Sequence, residues 1–356
     1  MLTPKKILVA ALNWGLGHAT RCIPVIEALE NQGYTPVIAS DGAALELLKK
    51  EFPHLPAFEL PPYHIEYARN GSILKPKLLM QLPGMLRAIS NENEMIARII
   101  KQENISGIIS DNRLGANNRS VPSIFITHQV TILSGNTTWL TTSMHRSFLK
   151  KYTECWVPDL ASSVNLSGKI GHSDDDSLKL RYIGPLSRLH KKPTQRKYDL
   201  MVLLSGPEPQ RAILEERLIQ ELQHYTGYVV FVRGVVEGEE TVHAEGRITY
   251  YNFMNTATLE QAFNDCEMVL CRPGYTTIMD LAKLCKKAFF IPTPGMSEQE
   301  YLAKKLKKAG IAPYASQNSF KISDLQKALM YKGLRNMGEN IKWKDLFSLF
   351  EGEGKL

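Results

Sequence analysis

Cysteine is scarce and scattered in this chain: Cys22, Cys155, Cys266, Cys271 and Cys285 stand far apart or unpaired in pattern. No two form a Cys-x-x-Cys motif, so neither a zinc site nor a disulfide framework is indicated, and a reducing cytoplasm fits. No stretch approaches the roughly 20 apolar residues of a transmembrane helix. The first six residues lead straight into an apolar run, so no signal peptide is expected. The dinucleotide fingerprint G-x-G-x-x-G is absent, because Thr20 and Cys22 stand where a third glycine would follow Gly15 and Gly17; NAD is disfavoured. No Asp-x-Asp is placed for a metal. Asp174, Asp175 and Asp176 lie in a polar loop with Gly171 and Ser173 and read as solvated, so no metal is expected. Lysines cluster at 191–197 and 304–308 without interleaved aromatics, which disfavours nucleic acid. The net charge of +7 permits attraction to anionic lipids or phosphates without requiring either.

What is present is alternation. Apolar runs near 6–12, 35–39, 105–110, 122–127 and 154–157 read as strands with helices between them. A second series has strands near 199–204, 228–233, 267–271 and 288–291, with helices at about 209–223, 257–264, 277–285 and 297–309. Such alternation implies parallel sheets covered on both faces, and 356 residues suffice for two cores. The expected organisation is an N-terminal domain over 1–180, a basic linker over 181–198, a C-terminal domain over 199–335 and a helical tail over 336–356. A helix is also expected over 320–331.

The first strand ends in Asn13-Trp14-Gly15-Leu16-Gly17-His18-Ala19-Thr20-Arg21. Gly15 and Gly17 permit a tight turn and close approach of a ligand. His18 then starts a helix, where the positive helix end favours the neutral imidazole. Asp111 closes another strand and would lie at the same sheet edge. A His–Asp pair makes a general base: the carboxylate fixes the tautomer and stabilises the imidazolium. Asp111 can equally be a turn residue in Ser-Asp-Asn-Arg, and His18 a helix cap. Arg21 and Arg113 could bind an anionic acceptor or be surface arginines. His128, after a buried run, could face an acceptor or be a satisfied near-core histidine.

Residues 271–303 repeat a strand–loop–helix. Cys271-Arg272-Pro273-Gly274-Tyr275-Thr276-Thr277 leads to a helix that Thr276 or Thr277 can cap, with Asp280 in its first turn. Ile291-Pro292-Thr293-Pro294-Gly295 leads to another, with Glu298, Gln299 and Glu300 near its start. Exposed helix-start amides suit a phosphate, and a carboxylate one turn in can accept from a ribose diol. Two ordinary capped βα units would look similar.

These stretches together resemble the GT-B glycosyltransferases, most closely those of MurG type. Gly15-Leu16-Gly17-His18 resembles that family's glycine loop, and Val121 to Gln129 its strand ending in a His-containing motif, of which His128 and Gln129 remain. Tyr182-Ile183-Gly184-Pro185 resembles the entry to the second domain. Arg272 to Leu281 resembles an Arg-x-Gly-x-x-Thr-x-x-Glu-Leu pattern, with Asp280 in the acidic place. Gln299 and Glu300 fall on a paired Gln-Gln that contacts the donor sugar. The resemblance implies an α/β GT-B fold, two Rossmann-like doubly wound domains facing a cleft, with the last helix crossing back to the first. It implies an inverting enzyme that uses a UDP-sugar, with N-acetylglucosamine expected, and no cofactor. The acceptor would be a lipid-linked or cell-envelope glycan. Donor contacts would come from Gly206, Phe253, Arg272, Gly274, Thr276, Thr277, Asp280, Gln299 and Glu300. Acceptor contacts would come from Gly15, Gly17, Arg21, Arg113, His128 and Gln129, with His18 and Asp111 catalytic.

The chain departs from the family at Ser205-Gly206-Pro207-Glu208-Pro209-Gln210, where two prolines remove amide donors and Glu208 adds negative charge. The mixture of Leu, Met, Lys75, Lys77 and Arg87 over 73–89 suits a membrane interface. It suits helix packing equally, with Pro83-Gly84 expected to break the helix. A cytoplasmic, peripherally membrane-bound enzyme is the leading expectation. A UDP-sugar hydrolase on the same fold and a non-catalytic nucleotide-sugar-binding partner stay open.

Overall fold

The computed structural model describes residues 4–63, 74–235, 238–337 and 341–352, with the backbone alone of 74–82 and 136. The chain divides into two units: described residues up to 186 together with 341–352, and residues 187–337.

In the first unit, β1 (Lys6–Ala11), α1 (Leu16–Asn31), β2 (Thr35–Ser40), α2 (Gly42–Glu51), β3 (Ala57–Glu59), α3 (Leu74–Glu103), β4 (Ile105–Asp111), β5 (Ser123–Ile126), α4 (Thr138–Leu149), β6 (Glu154–Val157) and β7 (Leu180–Tyr182) follow one another. The sheet runs β3-β2-β1-β4-β5-β6-β7, parallel throughout. Strands β1, β2 and β4 are apolar runs because they are covered on both faces. Leu8, Ala10, Val37 and Ile108 pack with Ile96 and Ile99 of α3. Since β1 has β2 on one side and β4 on the other, chain order reverses there. Ligands in such sheets gather at the carboxyl ends of the strands beside that reversal.

In the second unit the elements are β8 (Tyr198–Leu203), α5 (Gln210–Leu222), β9 (Val229–Val232), β10 (Val242–Glu245), β11 (Ile248–Tyr251), α6 (Thr256–Asp265), β12 (Cys266–Cys271), α7 (Tyr275–Leu284), β13 (Lys287–Phe290) and α8 (Ser297–Lys308). Its sheet runs β10-β11-β9-β8-β12-β13, with β10 antiparallel to β11 and the rest parallel. The reversal here lies at β8, between β9 and β12. Leu200, Val202, Phe231, Leu270 and Phe289 form its core with Leu214 and Leu218 of α5. Together these features are an α/β, two-unit GT-B architecture.

Several boundaries differ from expectation. β7 extends the first sheet to Tyr182, beyond a boundary at 180, because Arg181 and Tyr182 pair with Trp156 and Val157. The expected linker runs along the second unit: Lys192 and Lys197 form ion pairs with Glu260 and Asp265. α3 continues through Pro83 and Gly84 rather than breaking. Residue 73 and the side chains of Lys75 and Lys77 lie outside the described residues, while Arg87 and Leu86 are exposed. Residues 322–330 are a 3₁₀ helix, and the tail is a short α9 (Trp343–Phe347) with one further 3₁₀ turn. This tail packs in the first unit, with Phe347 at 5.8 Å from the ring of Tyr34. Among the described residues no helix is long and apolar enough to cross a membrane.

Candidate active site

The reversal in the first sheet sets two chemistry-bearing residues side by side. Ala11 and Asp111 are register partners at the carboxyl ends of β1 and β4. The chain leaves β1 through Gly15, whose φ of +77° is open to glycine at no steric cost, and α1 begins one residue later. His18 thereby lies in the first turn of α1 with Nδ1 2.7 Å from Oδ1 of Asp111. Arg21, one turn along, grips the same carboxylate through Nε and Nη2. Its Nη2 lies 2.9 Å from His18 Nδ1 and its Nη1 lies 3.2 Å from Nδ1 of His128.

The nearest neighbour of His18 Nδ1, the Asp111 carboxylate, favours one tautomer. Burial alone would push Asp111 up, but the Arg21 charge and the hydrogen bonds from His18 and Arg21 outweigh it and hold the carboxyl below its usual range. An ionised carboxylate 2.7 Å from Nδ1 needs a proton between them, so Nδ1 carries it and Nε2 bears the lone pair. His18 itself is shifted down, first by burial and then by the Arg21 charge, against the pull of Asp111. The imidazole is therefore neutral near pH 7, with 15% of its side chain exposed. No partner for Nε2 is found among the described residues. This is the arrangement of a general base with an orienting carboxylate.

Two expected acceptor ligands lie elsewhere in role. Arg21 is buried on Asp111, and Arg113 is wholly buried in ion pairs with Glu92 and Asp41. Arg113 Nη2 also donates to the Pro61 carbonyl at 2.7 Å, and Tyr63 donates to Glu92. A buried guanidinium without such partners would cost several kcal/mol, so Arg113 holds α3 to the loop after β4. His128 is buried beside Arg21, while Gln129 donates its amide to the Thr127 hydroxyl at 3.0 Å. Asn112 carried no earlier signal. Its φ of +56° lies in the left-handed region that asparagine tolerates, and Nδ2 reaches to 3.4 Å from His18 Nδ1.

In the second unit the expected donor residues lie in the loops after β8, β11 and β12 and on helices α7 and α8. Gly206 has φ +105°, and a Cβ there would stand 3.6 Å from the Thr293 hydroxyl. Glu208 accepts from Arg211 Nε at 2.5 Å and from the Ala212 amide at 3.2 Å, so its charge caps the first turn of α5. Helix α7 starts at Tyr275 with Gly274 as N-cap and no side-chain cap, so neither Thr276 nor Thr277 caps it. Arg272 is buried: Nη1 donates to the carbonyls of Ile291 and Pro292 at 3.0 and 3.1 Å, and Nη2 donates to that of Gln210 at 2.9 Å. Burial lowers its pKa to about 10. It ties three loops together rather than extending towards a phosphate. Gln299 accepts from the Thr293 amide at 2.8 Å, and Glu300 accepts from the Gly295 amide at 3.4 Å. The amide of Phe253 donates to the Asn252 side chain at 2.9 Å. Asp280 lies in the second turn of α7, where burial raises its pKa to about 6 against the Ser187 hydrogen bond and the Arg188 charge. Among the described residues no cluster of three His, Cys, Asp or Glu could hold a metal.

Residues 208–342 match the family model of the glycosyltransferase family 28 C-terminal domain. An uncharacterised glycosyltransferase of Methanopyrus kandleri is 23% identical over 317 residues, covering 83% of this chain and 86% of that protein. A UDP-N-acetylglucosamine–N-acetylmuramyl-(pentapeptide) pyrophosphoryl-undecaprenol N-acetylglucosamine transferase of Glaesserella parasuis is 27% identical over 142 residues, 38% of this chain and 40% of that protein. In fold, the chain is similar to the MurG structure of Acinetobacter baumannii, with a TM-score of 0.59 and 16% identity, covering 98% of this chain and 99% of that one.

Proposed function

We propose, from the premise that this chain is a MurG-like glycosyltransferase of the GT-B fold, that it transfers N-acetylglucosamine from UDP to a hydroxyl of a lipid-linked glycan precursor with inversion. The observation that carries the reading is the His18–Asp111 pair at the reversal of the first sheet. In the proposed step, His18 Nε2 takes the proton of the acceptor hydroxyl as its oxygen attacks the anomeric carbon. The bond from that carbon to the diphosphate oxygen breaks, and UDP leaves with the electron pair. Asp111 stabilises the imidazolium that forms.

The donor nucleotide would rest on the second unit, with its ribose diol on Asp280, its diphosphate beside Gly206 and the helix-start amides of α7, and its sugar near Gln299 and Glu300. The diphosphate would find its positive field in backbone amides, since Arg272 is occupied with carbonyls. No metal is needed in this scheme. The lipid-linked acceptor would be reached from the inner face of a membrane, with the N-terminal part of α3 at the interface. The sugar and acceptor class in the name of the Glaesserella relative support this reading.

The test is incubation with labelled UDP-sugars, with and without a lipid extract. Label moving from UDP-N-acetylglucosamine into lipid only when extract is present supports the reading. Release of free sugar without an acceptor makes the protein a hydrolase using the same base on water. Tight UDP binding with no turnover makes it a binding partner.

A further inference from the structure

We propose that Arg21 is a positioning residue of the His18–Asp111 pair: its guanidinium holds both carboxylate oxygens of Asp111 and reaches His128, fixing the carboxylate against His18 Nδ1 and leaving Nε2 as the proton acceptor. The inference rests on the base assigned to His18 above. Its ground is geometric. Nε and Nη2 of Arg21 take one Asp111 oxygen each, in the two-pronged mode that a guanidinium makes and an ammonium does not. Arg21 is 1% exposed and Asp111 is fully buried, so the pair is rigid and shielded from solvent.

The spacing in α1 explains why these residues meet. His18 and Arg21 are three apart, so both side chains leave one face of the helix. That face lies over the end of β4, where Asp111 closes the strand. The remaining Arg21 nitrogen, Nη1, lies 3.2 Å from Nδ1 of His128, which follows β5. The guanidinium thus spans the carboxyl ends of β4 and β5. His128 is given a supporting place, joined to the base through Arg21.

The charge balance gives Arg21 a chemical consequence. A buried carboxylate 2.7 Å from an imidazole, with nothing to offset it, would draw a proton onto the ring and remove the base. Arg21 offsets that charge. His18 is shifted down from its usual value by burial first and by Arg21 second. The groups that face His18 are Arg21 from α1, Asp111 and Asn112 from the end of β4, and His128 from beyond β5. The nearby Cys22 thiol is pushed well up by burial and remains neutral.

The experiment is a pH titration of the full chain labelled with ¹⁵N-histidine, followed by NMR, with His18→Ala identifying the His18 signals. In the wild type, His18 is expected as the Nδ1–H tautomer, titrating below the usual histidine range. In Arg21→Gln the pair is expected to take its proton at a pH higher by at least about one unit. The acid limb of kcat/KM should move up with it. Arg21→Lys keeps a cation but not the fork; it should lower kcat at least about tenfold with UDP affinity unchanged. If Arg21→Gln does not fold, Arg21→Lys carries the test through its tautomer and its kcat. His18 titrating with the wild-type tautomer and pH in Arg21→Gln, or wild-type kcat and tautomer in Arg21→Lys, overturns the proposal. A shifted titration in a protein whose turnover ignores His18→Ala would leave Arg21 as positioning residue and overturn the base assignment instead.

Discussion

The hydroxyl of Ser187 donates to Oδ1 of Asp280 at 2.6 Å. The only carboxylate of α7 is thereby held by the segment that enters the second unit. Burial still raises its pKa to about 6. If Asp280 accepts from the ribose diol, ionisation strengthens that bond. UDP affinity should then rise as pH climbs through about 6. UDP titrates in the same region, so Asp280→Asn is the reference: it should flatten the difference and weaken binding near pH 7.5 by about 1–3 kcal/mol. Calorimetry at pH 5.5 and 7.5 measures both. Equal UDP affinity in wild type and Asp280→Asn at both pH values would remove Asp280 from the donor site.

His18→Ala should lower turnover by roughly 10²–10⁴, the range of a positioned general base, with UDP binding intact. Asp111→Asn should cost less, because the imidazole remains while its orientation and electrostatic support are weakened. The double variant should resemble His18→Ala alone, since residues acting as one unit fail together. Single-turnover rates on a labelled donor measure all three. Near-normal turnover in His18→Ala would move the search for the base to His128.

How much of this was legible in the sequence depended on burial. The strands covered on both faces, β1, β2, β4, β8 and β12, show as continuous apolar runs. β10 is four residues long and exposed at every position, so it has no buried apolar run to read. β3 and β7 have three residues each, too short for a period. The meeting of His18 and Asp111 could be argued because His18 starts the helix that follows β1 while Asp111 ends β4, and strand ends in a parallel sheet share an edge. Arg21 and Arg113 could not be placed, because an arginine in sequence reads as surface or ligand. Their burial is decided by partners 90 and 21 residues away in Asp111 and Glu92. The ties made by Arg272 are equally non-local: it donates to the backbone carbonyls of Gln210, Ile291 and Pro292, which carry no residue signature, and to the side chain of Gln317, 45 residues away.

Gly107 on β4 leaves room for the ring of Phe350, which is buried against it. The tail is further held by Lys5 Nζ, which donates to the Phe350 carbonyl at 2.9 Å. Phe350→Ala should destabilise the first unit by about 3–5 kcal/mol through cavity formation. Gly107→Ala should cost about 1–3 kcal/mol, because its methyl group meets the ring. The two should be strongly non-additive, the methyl occupying space the ring vacates. Urea denaturation of the four proteins measures the coupling. Additive losses would show that the tail packs elsewhere in solution.

Arg113 tests the buried support of α3. Arg113→Met leaves Glu92 and Asp41 buried without their cation, and should cost about 3–5 kcal/mol. Adding Glu92→Gln should recover part of that loss, because one of the two stranded charges is removed. Thermal or urea unfolding near pH 7 reads the difference. A double variant no more stable than Arg113→Met would mean that the network contributes by shape rather than by charge.

His145 on α4 provides a pH-dependent term in stability. Its ring packs against Phe125 at 6.1 Å between centroids and has a buried Nε2 without a partner. Burial lowers its pKa to about 4, against a hydrogen bond to the Gln129 backbone. The folded protein therefore binds fewer protons here than the unfolded chain, whose histidine titrates near 6.5. The stabilisation is fully present above about pH 6.5 and is lost as pH falls towards 4. The shift is worth on the order of 3 kcal/mol. His18 is lowered as well and adds to the slope in the same direction. Asp280 is raised, so its contribution has the opposite sign and fades as pH rises through about 6. His145→Phe keeps an aromatic ring against Phe125 and removes the titrating group. Its unfolding free energy should change less between pH 6.5 and 4 than that of the wild type. Urea midpoints at half-unit pH intervals measure the slope. Identical slopes in the two proteins would show that His145 is reached by water in solution and titrates normally.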